Sequence, residues 1–435
     1  MKRNLLLLAA FAFAFTFSVQ AQNLGLGNDG IQFIRPNSQA GLHTFETTKD
    51  DTTAFEGLKL KWGGAFTQQM QSLSHTNEAA EVLKDGKNAT ELIGINTGFN
   101  TATANLNLDV QLAEGIRVNL ITYLSSRHHN EAWVKGGYLQ IDRLPMFNSA
   151  LLDRVMDHVS LRAGHFEINY GDAHFRRTDN GNAIYNPFVG NYIMDAFTTE
   201  IGAEATVRFG DVFGVAAFTG GEIKGSTTGP DGDRKPSLYG KLGYDNQVSD
   251  DLRVRLTGSV YHTASSLSNT LYGGDRAGSR YYNVMEAVGA TESANFTSGL
   301  INPGMRDKVT AVMVNPFVKY RGLELFGIFE QAQGRAANET EERTWNQYAA
   351  EALYRFLPNE QVYVGARYNV AKGALAGSGL DVTIDRVQVG GGWFVTPNVL
   401  VKAEYVNQGY DGFATTDIRH GGRFNGIMIE GVVAF

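Results

Sequence analysis

Residues able to do chemistry are scattered along this chain, and their spacing speaks against most kinds of catalysis. Nine histidines stand at 43, 75, 128, 129, 158, 165, 174, 262 and 420, mostly in polar loop-like stretches. Ser125-Ser126 beside His128-His129 comes nearest to the nucleophile and base that an esterase needs. Adjacency in sequence supplies no triad geometry, and these residues read equally well as polar loop residues. There is no cysteine, no histidine pair at i, i+4 with a nearby glutamate, and no D-x-[DN]-x-[DN]-G calcium loop. Gly390-Gly391-Gly392 lies in a strand-like segment and is no phosphate cradle. The reading is a non-enzyme with no metal and no cofactor.

One stretch gathers charge in a different way. GDAHFRRTDNGNAIYNPFVGNYIMDAFTTE brings Asp172, His174, Arg176, Arg177 and Asp179 together, then turns apolar with Tyr185, Phe188, Tyr192, Ile193, Met194 and Phe197. A fully solvated loop has no use for that second half. A loop folded against a wall would pack it there and turn the charged half towards a passage, as a constriction that sets size and charge selectivity. A lid or a subunit contact is the alternative.

The elements that must position this loop are strands. In LNLDVQLAEGIRVNLITYL, Leu106, Leu108, Val110 and Leu112 alternate with Asn107, Asp109 and Gln111. After Ala113-Glu114-Gly115, Ile116, Val118 and Leu120 alternate with Arg117 and Asn119. Period-two alternation across a short glycine-containing break is a hairpin. The pattern recurs, predicting strands near 58–69, 99–112, 116–124, 133–142, 159–170, 200–209, 212–218 and 238–244. Eight more follow near 252–262, 310–320, 323–331, 345–356, 362–370, 382–394, 399–408 and 424–435. Short turns and long polar loops trade places between them, the long ones at 70–98, 125–132, 171–199, 219–237, 263–309, 332–344, 371–381 and 409–423. MFNSALLDRVMDH reads as a short helix on the short-turn side.

Alternation of loop length points to an all-β chain, a single transmembrane antiparallel β-barrel of about sixteen strands with long extracellular loops and short periplasmic turns. A soluble sandwich also alternates, but this many strands would need several domains, and no linker-like stretch divides them. Lipid takes the apolar faces, with Trp62, Tyr138, Tyr244, Tyr320, Tyr354, Trp393 and Tyr405 as girdle candidates. The opposite parity carries Lys59, Lys61, Arg117, Arg162, Arg208, Arg253, Arg255, Arg367 and Lys402, with Lys241, Lys319, Arg355 and Arg386. Acids on that parity include Asp109, Asp142, Glu204, Glu324, Glu330, Glu351, Glu404 and Glu430. A lipid-facing charge costs about 2–4 kcal/mol near the midplane, so these line a lumen. The basic excess implies a pore for small hydrophilic solutes or ions with a modest anion preference.

Composition agrees. The chain has 435 residues, 50 of them Gly and 9 Pro, with 43% hydrophobic residues and a formal charge of -7. An acidic chain without a dense basic run excludes a nucleic-acid partner. MKRNLLLLAAFAFAFTFSVQAQ reads as a cleaved signal peptide over residues 1–21, its apolar run too short for a membrane anchor. Residues 22–57 form an arm, periplasmic or lumenal, and 58–435 the barrel. The terminal strand, FNGIMIEGVVAF, ends on Phe435 and resembles the last strand of outer-membrane barrels, which the barrel-assembly machinery reads.

The block LRAGHFEINYGDAHFRRTDNGN and the arm IQFIRPNSQAGLHTFETT, with the strand count and Phe435, resemble the bacterial outer-membrane porins, in particular the phosphate-selective type of Bacteroidetes-like bacteria. The resemblance implies a sixteen-stranded barrel in the outer membrane of a Gram-negative-type bacterium, in contact with lipid and lipopolysaccharide and often a homotrimer. It implies a third loop inside the pore, with Arg176 and Arg177 as constriction residues. Two other readings stay open: a transporter of hydrophobic compounds plugged by the arm, and an adhesive or structural barrel that binds a partner through loops such as 70–98 and 263–309.

Overall fold

A computed structural model describes residues 30–128, 131–220, 235–266, 268–273 and 278–435. The predicted signal peptide, the first residues of the arm and His129 lie outside the described residues. Sixteen strands stand where the alternation predicts them. The first eight are β1 (Lys59–Thr76), β2 (Thr103–Ala113), β3 (Ile116–Leu124), β4 (Trp133–Ile141), β5 (Val159–Glu167), β6 (Thr199–Phe209), β7 (Val212–Thr219) and β8 (Ser237–Ser249). Then come β9 (Leu252–Thr263), β10 (Lys308–Tyr320), β11 (Leu323–Arg335), β12 (Arg343–Phe356), β13 (Val362–Ala374), β14 (Asp381–Thr396), β15 (Val399–Asp411) and β16 (Arg423–Ala434). Each pairs antiparallel with its neighbours in sequence. The predicted short helix is α1 (Ala150–Met156), between β4 and β5, with the Ser149 side chain accepting from the Leu152 N–H at its start.

β1 closes the barrel. Its first half pairs with β2, from Lys59 opposite Gln111 to Thr67 opposite Thr103. Its second half pairs with β16, from Ala65 opposite Ala434 to Thr76 opposite Arg423. Closure leaves no sheet edge, which is what backbone N–H and C=O groups require in lipid. The two faces separate as the parity predicts: on β1, Leu60, Trp62 and Phe66 are exposed outside while Thr67, Gln69 and Gln71 are buried inside. Tyr244, Tyr320, Tyr354, Trp393 and Tyr405 are likewise exposed outside. The chain therefore spans a membrane with strands, and the predicted arm of 22–57 reaches the interior from residue 30 onwards.

Tyr138 departs from its predicted girdle position. Ile121 pairs with Gly136 and Thr122 with Val134, so Lys135 is an extra residue in β4. That bulge lets Lys135 and Tyr138, three residues apart, both face inward; Tyr138 shares the inward parity of Asp142, and its ring lies beneath the guanidinium groups of Arg117 and Arg162.

Candidate functional site

The interior is filled unevenly. Residues 171–198 leave β5, cross the lumen and return to β6, and the run 183–198 is buried throughout. Inward side chains of the far wall hold this loop in place. The Asp172 carboxylate accepts from Arg255 on β9 at 2.8 Å, from Thr257 at 2.9 Å and from Lys241 on β8 at 3.0 Å. Asn315 on β10 accepts from the Asp172 N–H at 2.8 Å. Arg176 pairs with Glu324 on β11 and, at 3.4 Å, with Glu351 on β12. Asn369 on β13 accepts from the Ile193 N–H at 2.7 Å, and Arg386 on β14 donates to the Asn191 carbonyl. Lys402 on β15 donates to the carbonyls of Ala183, Asn186 and Phe188 at 2.9–3.1 Å. A Cβ at Gly181 would come within 2.5 Å of the Ala104 Cα, so the loop's near side is pressed against β2 as well.

The described residues of a second long connection, 264–307, lie against the first. Tyr272 donates to Glu330 at 2.7 Å, Tyr281 to Glu404 at 2.5 Å, and Arg280 pairs with Glu430 at 3.4 Å. The Phe197 N–H reaches the Leu271 carbonyl at 2.9 Å, and the Ile301 N–H reaches that of Ile193 at 2.8 Å. The adhesive reading makes this segment an outer binding loop, yet much of its described part is folded inward. Its buried aromatics, Tyr272, Tyr281 and Tyr282, were the signal for that.

The arm enters from the short-turn end. Gln32 donates its N–H to Gln111 Oε1 at 2.8 Å, and the Gln39 N–H reaches the Pro397 carbonyl at 2.7 Å, so the arm crosses the mouth from one turn to another. Glu46 pairs with Arg255 at 2.7 Å and Lys241 at 3.0 Å. Arg35 lies 3.6 Å over the Tyr185 ring.

A cavity of about 280 Å³ lies between β2–β6, the arm and the near side of loop 171–198. On the wall side Arg117 donates to Gln140 at 2.7 Å and pairs with Asp109 at 3.4 Å, and Arg162 pairs with Glu204 at 3.2 Å. On the loop side Asp179 pairs with Lys135, and His174 meets Glu167 at 2.5 Å. Arg177 borders the cavity while gripping Asp195 through two bonds of 2.5 and 2.8 Å.

Of the five residues predicted for a constriction, His174, Arg177 and Asp179 border this cavity; Asp172 and Arg176 do not, since both are turned into the wall. Of the predicted lumen residues, Lys61, Arg117 and Arg162 border it. Lys59 is at the rim beside Glu56, 2.7 Å away. Arg208 lies over the Phe213 ring and Arg253 over Phe45, while Arg255, Arg367 and Lys402 are covered by loop or arm. Lys135 was missed because of the bulge, for which Gly136-Gly137 was the available sign, whereas Tyr138 and Gln140 share the inward parity of Asp142. Ser125 and Ser126 are buried, and Ser126 lies 3.4 Å from the Tyr282 hydroxyl.

The architecture is that of solved outer-membrane porins. The chain is similar to a loop-deletion mutant of OmpT, an outer membrane protein of Vibrio cholerae, with TM-score 0.50 and 11% identity over 87% of this chain and 100% of that one. It is similar to an anion-selective porin from Comamonas acidovorans with the same TM-score, identity and coverage, 0.50, 11%, 87% and 100%. For OprB of Pseudomonas putida the TM-score is 0.50, with 9% identity over 86% and 94%. At such identities the likeness is one of fold. No protein-family model and no curated protein matches the chain.

Proposed function

We propose that the chain is an outer-membrane porin through which small hydrophilic solutes diffuse passively. The observation that carries this is the polar cavity beside β2–β6, in a barrel whose outer face is apolar. In this reading the constriction is shared: loop 171–199 frames one side with His174, Arg177 and Asp179, and the arm frames another with Arg35 and Glu46. Around the cavity six Lys and Arg face five Asp and Glu. A strongly phosphate- or anion-selective channel is therefore not the expectation; weak ion selectivity is.

The closing strand supports assembly through the C-terminus, because Phe435 exchanges backbone bonds of 2.9 and 3.0 Å with Gly64 at the seam with β1. A trimer is carried over from the family resemblance, and crosslinking in detergent tests it. The decisive experiment is single-channel recording of the refolded protein in a planar bilayer under a salt gradient. Steady steps with a reversal potential close to zero are expected. Silence from a correctly folded barrel would overturn the channel in favour of a plugged or adhesive one.

A further inference from the structure

At the short-turn end the barrel leaves an apolar surface uncovered. We infer that α1 and the turn before it form an interfacial lipid anchor, seated among the acyl chains of the phospholipid leaflet on the periplasmic side. Such an anchor goes beyond the channel reading and does not depend on conduction.

Around α1 the side chains of Leu151, Val155, Leu152 and Met156 form one apolar arc, while Asp153, Arg154 and Asp157 share the rest of the circumference. The protein uses half of that arc: Met156 is buried and Leu152 half-buried. The other half is open, with Leu151 71% and Val155 45% exposed. Met146 and Phe147, in the turn that leads into the helix, are exposed as well. A single exposed apolar residue is ordinary, but several in one short connection, rimmed by charge, mark a contact surface.

The neighbours of α1 say what covers it. His158, just after the helix, lies ring to ring with Phe209 at the end of β6, 4.5 Å between centroids. Its Nδ1 is 3.0 Å from the Arg208 carbonyl, and the Arg208 N–H reaches the His158 carbonyl at 2.9 Å. Arg208 turns inward over Phe213, so Phe209, the next residue, turns outward. Phe209 stands opposite Val212 on β7, and Val212 opposite Tyr244 of the girdle on β8. All three are exposed on the outer face. The open arc of α1 is therefore continuous with the apolar belt that faces lipid. Its polar side looks the other way: Asp157 acts electrostatically on Lys49 of the arm, which lies 3.2 Å from the inward Asp142.

Helices of this kind sit about 5–10 Å into the boundary between headgroups and acyl chains. Charge does not choose the lipid here. Arg143 and Arg154 stand among Glu114, Asp153 and Asp157, so no basic surface draws anionic headgroups, and seating rests on apolar contact.

The chain has no cysteine, so a single spin label can be placed at will. Leu151→Cys, Phe147→Cys and Asp153→Cys, each in the full chain, are labelled with a nitroxide and refolded into phosphatidylcholine vesicles. Collision rates are then measured with oxygen, which concentrates in lipid, and with a water-soluble nickel chelate. The ratio of oxygen to chelate is expected to be several-fold higher for Leu151→Cys and Phe147→Cys than for Asp153→Cys. Adding phosphatidylglycerol should leave it unchanged. Where Leu151→Cys does not fold, Val155→Cys reports on the same face. A ratio no higher than that of Asp153→Cys would place the face in water and overturn the inference. Exclusion of both reagents would overturn it in favour of a second chain, and an oxygen preference seen only with phosphatidylglycerol in favour of headgroup attraction.

Discussion

Along β8–β16 the inward charges are covered by loop 171–198, the arm and segment 264–307; along β2–β6 they pair with one another across adjacent strands and border a cavity. Asp172 and Asp109 make the contrast concrete. Asp172 sits between Lys241, Arg255 and Thr257, with side chain and partners fully buried. Asp109 holds Arg117 and Asn119 on the wall of the open space. Both halves alternate alike in sequence, so parity tells which way a charge points and not whether water or protein meets it there. In one half the charges act as anchors for a filling. In the other they form the wall of a passage.

The contrast is most easily broken by stability. Asp172→Ala leaves Lys241 and Arg255 buried with Glu46 as their remaining shared acid, and should cost about 3 kcal/mol or more. Asp109→Ala should cost nearer 1 kcal/mol, because Arg117 keeps Gln140 and borders the cavity. Urea unfolding in detergent compares the two. Equal losses would mean that the halves are packed alike. Selectivity gives the converse pair. Arg162→Gln removes a positive charge from the cavity wall and should move the reversal potential towards cations. Arg386→Gln removes one from the packed half, where its partners are Gln408 and the carbonyls of Asn191 and Gly299. It should lower stability and leave the reversal potential where it was.

How much of this was legible follows the same division. The sixteen strands, their inward and outward faces, the helix between β4 and β5 and the inward third loop could be read from alternation, loop length and the apolar half of 171–199. What decides the site could not. Asp172 and Arg176 looked like channel residues because they stand beside His174, Arg177 and Asp179. Their direction is set by Lys241, Arg255, Glu324 and Glu351, far away in sequence. Lys135 was hidden by a one-residue bulge that puts it on the same face as Tyr138, three residues on. The arm carries no period, and its place depends on Glu46 finding a cationic pair on β8 and β9.

That latch sharpens the comparison through pH. Burial alone would push the Glu46 carboxyl up, but Arg255 and Lys241 outweigh it and hold the group at about 2 instead of 4.5. A depressed carboxylate contributes its stability fully above the ordinary value and loses it as pH falls through the lowered one. Conductance should therefore stay level from pH 7 to pH 5. Glu46→Gln should reproduce at neutral pH what acid does near 2, a looser arm and a larger conductance. A step in the unaltered channel between pH 7 and pH 5 would detach the arm from this pair.

The smallest effect is expected at the short-turn rim, outside both halves. Arg321 and Asp251 lie 3.0 Å apart with side chains 67% and 49% exposed. Holding two long side chains in one geometry costs nearly what their screened attraction returns. Arg321→Ala should leave the unfolding midpoint unchanged, whereas Asp172→Ala, which removes a carboxylate from pairs of similar length, should not. The difference between them is what surrounds the pair. A clear loss for Arg321→Ala would mean that this rim does not face water, and that a second chain or the lipid surface covers it.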